Sequence, residues 1–214
     1  MYQPPHHRED RLEVQHALIR SHPLGTLVTI GASGLVANAL PFIIDASRGQ
    51  FGTLQAHLAR ANNQWREFDA KVGALVIFQG VESYITPSWY PTKQDGGKVV
   101  PTWNYAIVQA SGPLQIIEDR DWLKTQIGAL TALQEGRREE PWAVSDAPAS
   151  YVESQLKGIV GIEIPIARIE GKWKVSQNRP EVDKRGVVEG LRGQGDELSE
   201  AMATLVQERG FPAK

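Results

Sequence analysis

A short polar segment near the middle of the chain has the residue types that bind anions. His57, Arg60, Asn62 and Gln64 lie within residues 55–65, where a predicted strand ends and a predicted helix begins. Backbone N–H groups at a helix start attract anions, and an arginine guanidinium offers a planar fork suited to phosphate. The segment therefore predicts a phosphate site. The simpler alternative is a solvated helix start in which His57 is an ordinary surface histidine.

Aromatic residues are concentrated in two neighbouring segments, 84–90 and 100–105, although they make up only 7% of the chain. Trp103 and Asn104 stand in the second segment. Aromatic rings beside amide and hydroxyl groups can sandwich a planar ligand and hydrogen-bond its edge. The alternative is packing in the core or at a dimer interface.

A third polar group, Lys174-Val175-Ser176-Gln177-Asn178-Arg179, follows an apolar strand. Gln177 and Arg179 could close over a ligand. The same residues could instead cap the helix that is predicted to begin at Pro180.

Several kinds of site are disfavoured by what the sequence lacks. There is no cysteine, so disulfides and thiolate chemistry are excluded. His6 and His7 have no third ligand at suitable spacing, so we expect no metal site. Ser88 lacks the G-x-S-x-G context of a serine hydrolase, and no glycine-rich phosphate loop follows the first strand.

Composition favours one globular domain with ordinary charge. The chain has 214 residues, of which 41% are hydrophobic, and a formal net charge of −2. Any contact with DNA would therefore need a local basic patch. The N-terminus has no apolar run typical of a signal peptide, and no stretch approaches the roughly 18 apolar residues of a membrane helix. We expect a cytoplasmic protein.

Hydrophobic patterning predicts an α+β, mainly β fold, namely an antiparallel barrel with peripheral helices. Asn62 is expected to cap a short helix through Phe68, and Asp119 a longer one. Glu170-Gly171 is expected to turn the chain between two late strands. The predicted strands are 26–30, 35–44, 51–54, 72–79, 83–86, 103–117, 159–169 and 172–176, and the predicted helices are 10–20, 149–157, 180–191 and 196–209. We expect a barrel domain over residues 1–176 and a helical extension over 177–214, packed on the barrel or on a dimer partner.

Taken together, these segments resemble one known family, the PaiB-like FMN-binding negative transcriptional regulators. The resemblance covers almost the whole chain, in the family's order. The matching segments are Met1-Tyr2-Gln3-Pro4, His57 with Asn62-Asn63-Gln64-Trp65, Phe78-Gln79-Gly80, residues 84–90, residues 100–105, residues 156–161 and Ser176-Gln177-Asn178-Arg179. Several matches in order are far more specific than any single motif.

The resemblance implies a split β-barrel like that of pyridoxamine-phosphate oxidase, forming a homodimer with FMN at the subunit interface. By this analogy residues 55–64 hold the phosphate, with Arg60 as the main charge partner. Residues 36–42 run along the isoalloxazine edge, and residues 177–179 contact the flavin or the partner subunit. The full set of implied cofactor-binding residues is Asn38, Leu40, Gln55, His57, Arg60, Asn62, Gln64, Trp103, Asn104, Gln177 and Arg179.

The chain departs from the family pattern at three places. Asn38-Ala39-Leu40-Pro41 stands where Thr-His-Leu-Pro is typical, Ala56 replaces a glycine, and Asn63 replaces a proline. The first departure removes a histidine near the expected flavin edge, so no imidazole at position 39 can transfer a proton there.

Three functions are consistent with this resemblance. The first is an FMN-binding transcriptional regulator, with the regulatory role implied by the family alone. The second is an FMN-dependent oxidoreductase that positions a substrate against the flavin. The third is a haem-binding relative in which His57 is an axial ligand.

Overall fold

The computed structural model describes residues 1–211, so the last three residues of the predicted C-terminal extension lie outside the described residues. Two compact units share the chain. The first unit comprises Met1–Arg11, Gln79–Val108 and Glu170–Lys214, and the second comprises Leu12–Phe78 and Gln109–Ile169.

Residues 1–211 form ten strands and five α-helices. The strands are β1 (Arg8–Glu9), β2 (Leu24–Gly31), β3 (Gly34–Pro41), β4 (Ile43–Asp45), β5 (Thr53–Ala59), β6 (Ala74–Ile85), β7 (Thr102–Gly112), β8 (Gln115–Ile117), β9 (Ile159–Pro165) and β10 (Arg168–Lys174). The helices are α1 (Leu12–Ser21), α2 (Arg120–Glu135), α3 (Ala149–Leu156), α4 (Glu181–Arg192) and α5 (Glu197–Gly210). The expected α+β, mainly β class is confirmed.

Antiparallel pairing dominates the second unit. The β2–β3 hairpin runs from Leu24 opposite Pro41 to Gly31 opposite Gly34, and β2 pairs on its other side with β6. A four-stranded sheet has the order β4-β5-β9-β8, again antiparallel. Within the first unit the neighbouring strands are β1, β10, β7 and β6 in that order.

The core of the second unit lies under these strands. Phe42 and Phe78 meet edge to face, with ring centroids 5.6 Å apart. A Cβ at Gly25 would lie 2.6 Å from the Phe78 ring, so only glycine fits this position of β2. β9 is buried on both faces, as Val160, Gly161, Ile162, Glu163 and Ile164 show.

Side-chain caps fix the starts of two helices, and the cap at Asp119 confirms the prediction made from the sequence. The carboxylate of Asp119 accepts from Trp122 N, and that of Asp196 accepts from Ser199 N. Each cap satisfies a backbone donor that the helix itself cannot pair. In the first unit, α4 and α5 pack through Val187, Leu191, Met202 and Val206, which are completely buried.

Four local predictions were wrong. The expected strand 35–44 is two strands, β3 and β4, which belong to different sheets. The expected strands 72–79 and 83–86 are one continuous strand, β6, which starts at Ala74 and leaves Val72 exposed. In its first half Ala74, Val76 and Phe78 are buried on one face, while Leu75 and Ile77 on the other face are half-buried. The expected turn at residues 170–171 lies instead at residues 166–167, since Gly171 is buried in β10 opposite Glu9.

The fourth correction concerns the predicted phosphate segment. The expected strand 51–54 actually runs over Thr53–Ala59, so Gln55 and His57 lie inside a strand rather than at its end. The helix expected over residues 62–68 is a single 3₁₀ turn, Asn63–Trp65. So short a turn has no helix N-terminal anion site, and any anion here must be held by side chains.

Candidate functional site

Arg60 follows β5 directly and its guanidinium already holds an anionic group. Nη1 donates to the Glu118 carboxylate at 2.6 Å, while Nε and Nη2 donate at 3.2 Å to the backbone oxygens of Lys157 and Ile159. Its own backbone N–H donates to Gly158 O. The two carbonyls fix the direction of the guanidinium, and the Glu118 side chain, 58% exposed, lies at the solvent side of the pair.

The Trp65 ring packs beside this arginine. Trp65 Nε1 donates to Arg60 O at 3.0 Å, and the Arg60 guanidinium lies 5.7 Å from the ring centroid. Arg66 stacks closer, at 4.2 Å. Two guanidinium groups on one indole keep this end of the segment positively charged and ordered.

Asn38, Asn62 and Gln64 form one hydrogen-bonded group. The buried Gln64 amide donates to Leu27 O, Thr29 Oγ1 and Val36 O, and its oxygen accepts from Asn38 Nδ2 at 2.8 Å. Asn62 Oδ1 accepts from Gln64 N, which confirms the predicted cap. Through Gln64, the segment after β5 is therefore tied to the edge strand β3.

The side chains of Leu40 and Gln55 make contacts in the interior of the protein. Leu40 is 8% exposed and belongs to the core. Gln55 Nε2 donates to the buried carboxylate of Glu163 at 2.7 Å. Glu163 also accepts a two-pronged contact from Arg48 and a bond from Trp122 Nε1. The Arg48 contact is the main reason that the pKa of Glu163 falls to about 2.

His57 lies on the same face of β5 as Gln55 and faces helix α2. Its Nδ1 donates to Gln126 Oε1 at 2.8 Å, which leaves Nε2 as the acceptor of the neutral ring. The imidazole also lines a cavity of about 270 Å³ whose other walls are mainly apolar. These walls include Ile127, Leu130, Trp142, Val144 and Val152.

The remaining predicted residues lie in the first unit. Trp103 is 51% exposed and meets Tyr84 edge to face at 6.0 Å. Buried Asn104 donates to Ser176 Oγ at 2.9 Å. Ser176 has a φ of 63°, and the bond from Asn104 supports this left-handed conformation.

The turn after Ser176 is held by its own chain. Gln177 accepts from Val175 N and donates to Trp173 O, so both ends of its amide are used. The Arg179 guanidinium lies 4.6 Å from the centroid of the Tyr90 ring, which is buried. Gln177 thus stabilises the turn, while Arg179 is half-buried against an aromatic ring.

Several residues of these networks were missed by the sequence analysis. Glu118, Gln126 and Glu163 lie 58, 69 and 108 positions from Arg60, His57 and Gln55, and no local pattern links such distant residues. Lys172 carried a usable signal, because it lies two positions before Lys174 on one strand and therefore points to the same face.

Residues 1–211 lack two kinds of structural feature. No helix among them is long and apolar enough to cross a membrane. No group of three or more histidine, aspartate or glutamate residues within this range is arranged to hold a metal ion.

Comparison with known proteins identifies the family. Residues 1–168 match the family described as "Putative FMN-binding domain". The Bacillus subtilis "Protease synthase and sporulation protein PAI 2" is 32% identical over 209 residues and 98% of both chains. An uncharacterized protein of Emericella nidulans is 37% identical over 245 residues, again 98% of both chains.

Solved structures show the fold. The "FAD and Heme binding protein" of Mycobacterium smegmatis aligns with a TM-score of 0.56 and 16% identity, covering 77% of this chain and 71% of that one. The expected split β-barrel fold is thereby confirmed, as is the resemblance to the PaiB-like regulators. The chain belongs to the family of FMN-binding domains, and FMN is the cofactor of that family.

Proposed function

We propose that this protein binds FMN as a homodimer and acts as a regulator of the PaiB type. The observation that carries the FMN part is the anion contact at Arg60. Its guanidinium is aimed by two backbone carbonyls and already holds the carboxylate of Glu118. A phosphate carries the same kind of oxygen acceptor and more charge, so it fits the position in place of Glu118.

Replacing Glu118 by a phosphate as the partner of Arg60 costs little free energy. The Glu118 side chain is 58% exposed and that of Arg60 is 35% exposed, so their ion pair contributes only about 0–1 kcal/mol. The sequence analysis placed His57 and Asn62 with Arg60, but both make other hydrogen bonds in this structure. His57 donates to Gln126, and Asn62 accepts from Gln64 N. We therefore assign the phosphate chiefly to Arg60.

The isoalloxazine ring is proposed to lie along β3. This strand ends the order β6-β2-β3, so its outer backbone edge is free for a ligand among the described strands. Ala37 and Ala39 are exposed and small, and Asn38 is held by Gln64. FMN supplies redox chemistry when bound, while these residues bind and orient it. We keep Trp103, Asn104, Gln177 and Arg179 as proposed contacts of the flavin or of the partner subunit.

Homodimerisation is supported by apolar surface on the second unit. Leu24 and Leu35 of the β2–β3 hairpin are 65% and 75% exposed, and Leu75 and Ile77 of β6 are half-buried. A self-complementary contact across a two-fold axis would bury these side chains. Sedimentation at micromolar concentration tests this; a monomer of 23.6 kDa would contradict it.

The regulatory role is proposed from the Bacillus relative, whose name refers to protease synthesis and sporulation. Such a role places the protein in the cytoplasm. Helix α4 offers no free basic face, because Arg185 pairs with Glu181 and Arg192 pairs with Glu200. A gel shift with the DNA upstream of its own operon tests whether the protein contacts DNA directly.

One titration tests the FMN site. Arg60→Ala removes a charged contact that contributes about 1.5–3 kcal/mol, so FMN affinity should fall roughly ten- to a hundredfold. Riboflavin lacks the phosphate and should bind both proteins equally poorly. Arg66→Ala is the matched control, since Arg66 stacks on the same Trp65 ring without contacting Glu118. Equal FMN affinity of wild type and Arg60→Ala, or a haem Soret band in the purified protein, would overturn the assignment.

A further inference from the structure

One face of β10 carries two lysines around an aromatic ring. Lys172 and Lys174 are two residues apart and so point to the same side of the strand. Their Nζ atoms lie 5.3 Å and 6.0 Å from the centroid of the Tyr105 ring. The Tyr2 ring flanks Lys172 at 5.6 Å. We call Tyr2, His7, Tyr105, Lys172 and Lys174 the lysine face.

Neither ammonium group has an acidic partner within the described part of the chain. The Lys172 residue is only 9% exposed, and within residues 1–211 its Nζ makes cation–π contacts but no hydrogen bond or ion pair. Lys174 donates to Trp103 O at 2.8 Å and to Thr102 Oγ1, which are both neutral acceptors. Two ammonium groups thus lie 5.3 Å and 6.0 Å from the centroid of one aromatic ring, and neither has an acidic partner among residues 1–211.

The nearest acidic side chains are committed elsewhere. Glu170, two residues before Lys172, binds the N-terminal ammonium of Met1 at 3.0 Å. Glu9 binds Arg11 and Arg209. On the neighbouring strand, the residue opposite Lys172 is Arg8, which adds positive charge and pairs with Asp10.

His7 adds an unsatisfied polar atom to this face. It is 5% exposed, and its Nδ1 has no hydrogen-bond partner in residues 1–211. Burial lowers the pKa of His7 to about 4, and the charges of Lys172 and Lys174 add to the effect. The ring is therefore neutral near pH 7, and in the tautomer that carries its proton on Nδ1 it can donate one hydrogen bond to a ligand.

The Lys172 residue is 9% exposed and has no counter-charge among residues 1–211, an arrangement that a bound anion would stabilise. We propose that the lysine face binds a phosphate group. Lys172 and Lys174 supply two positive charges, which match the roughly −1.5 to −2 charge of a phosphate monoester near pH 7. A single carboxylate would neutralise only one of them. The phosphate belongs to a small molecule other than FMN, since the proposed function assigns the FMN phosphate to Arg60.

Inorganic phosphate is the first probe. Calorimetric titration at constant ionic strength should show binding to the wild type that weakens at least tenfold in Lys172→Met and in Lys174→Met. Lys98→Met is the control, because Lys98 belongs to the same unit, is exposed and removes the same charge. Lys172→Arg keeps the charge and should retain binding, which guards against a variant that simply misfolds.

A measurement without ligand separates a binding role from a structural one. If Lys172 serves a ligand, Lys172→Met should melt at or above the wild-type temperature in phosphate-free buffer, since it removes an unpaired charge. A clear fall in melting temperature there would mean that the lysine stabilises the fold. That result, or phosphate binding that is absent in the wild type or unchanged in both methionine variants, overturns the proposal.

Flavin titrations then identify the source of the phosphate. We expect inorganic phosphate to bind without displacing FMN, and Lys172→Met to leave FMN affinity unchanged. If inorganic phosphate instead competes with FMN, and Lys172→Met weakens FMN but not riboflavin, then the lysine face holds the phosphate of the flavin. That result would overturn both this proposal and the assignment of the FMN phosphate to Arg60. The phosphate titration does not depend on flavin, so a failure of FMN binding leaves this test intact.

Discussion

The guanidinium of Arg60 and the carboxylate of Glu118 face each other at 2.6 Å, although 58 residues separate them in the chain. The two backbone carbonyls that also bind Arg60 would hold the guanidinium in place if Glu118 moved away. The Glu118 carboxylate thus occupies the position at Arg60 that we propose for the FMN phosphate. If that proposal is right, Glu118 competes with FMN and weakens its binding.

Replacing the competing carboxylate should therefore strengthen the binding of FMN. Glu118→Gln keeps the size of the side chain but removes its charge, and the lost pair contributes about 0–1 kcal/mol. FMN affinity should rise by up to about fivefold, and riboflavin affinity should not change. Fluorescence quenching measures both, with Glu140→Gln as a control on an exposed residue. A weaker FMN affinity in Glu118→Gln would argue against Arg60 as the phosphate ligand.

The buried carboxylate of Glu163 should make stability depend on pH in the acid range. Its pKa is lowered to about 2, first through its hydrogen bonds with Arg48, and the ordinary value is 4.5. A carboxyl group whose pKa is depressed on folding stabilises the protein above the unfolded pKa. This contribution is complete above about pH 4.5 and is lost as the pH falls towards 2.

The substitution Arg48→Ala should remove most of the lowering of the Glu163 pKa. At pH 7 it should lower the free energy of unfolding by about 1.5–3 kcal/mol, because a buried charge loses its partner. The deficit should shrink as the pH falls from 4.5 towards 2. Urea unfolding from pH 3 to 7 measures it. Glu9, whose pKa is also about 2, is unchanged in both proteins and cancels in the difference. A deficit that stays constant over this range would contradict the assignment.

Local features of this fold were predictable from the sequence, and long-range partners were not. Asp119 and Asp196 cap helices because a short acceptor before a helical run satisfies free N–H groups wherever it occurs. The β2–β3 hairpin follows in the same way from Gly31-Ala32-Ser33-Gly34 between two apolar runs. By contrast, Glu118 reaches Arg60 only because β8, β9 and β5 lie side by side in one sheet.

Glycine caused one of the wrong predictions. Gly171 suggests a turn when only its neighbours are considered, since glycine is common in turns. In the structure it is a buried strand residue opposite Glu9. Turn and close-packing glycines look alike in a single sequence, because the distinction depends on what packs against the missing side chain.

We expect the hydrogen bonds between Asp183 and Thr92 to be the main polar contacts that hold α4 against the rest of its unit. Asp183 is 1% exposed and accepts from Thr92 N at 3.1 Å and from Thr92 Oγ1 at 2.8 Å. Asp183→Ala leaves a backbone donor unpaired and should reduce the free energy of unfolding by about 2–3 kcal/mol. Thr92→Val keeps the backbone bond and should cost less. Urea denaturation compares the two, and equal losses would show that the hydroxyl bond alone matters.

Two helical glycines provide a matched test of packing against helix propensity. Gly186 lies in α4, and a Cβ there would stand 2.0 Å from the backbone oxygen of Trp89. Gly128 lies in α2, where a Cβ would meet nothing within 4 Å. Alanine is favoured over glycine in a helix interior by about 1 kcal/mol in both places, so the difference between the two variants isolates the clash.

Gly128→Ala should therefore raise the free energy of unfolding by about 0.5–1 kcal/mol. Gly186→Ala should lower it by about 1–3 kcal/mol, because backbone must move to admit the methyl group and the cost of overpacking exceeds the gain in propensity. Urea denaturation at pH 7 gives both values. If Gly186→Ala is also stabilising, then α4 does not pack against Trp89 as closely as these distances require.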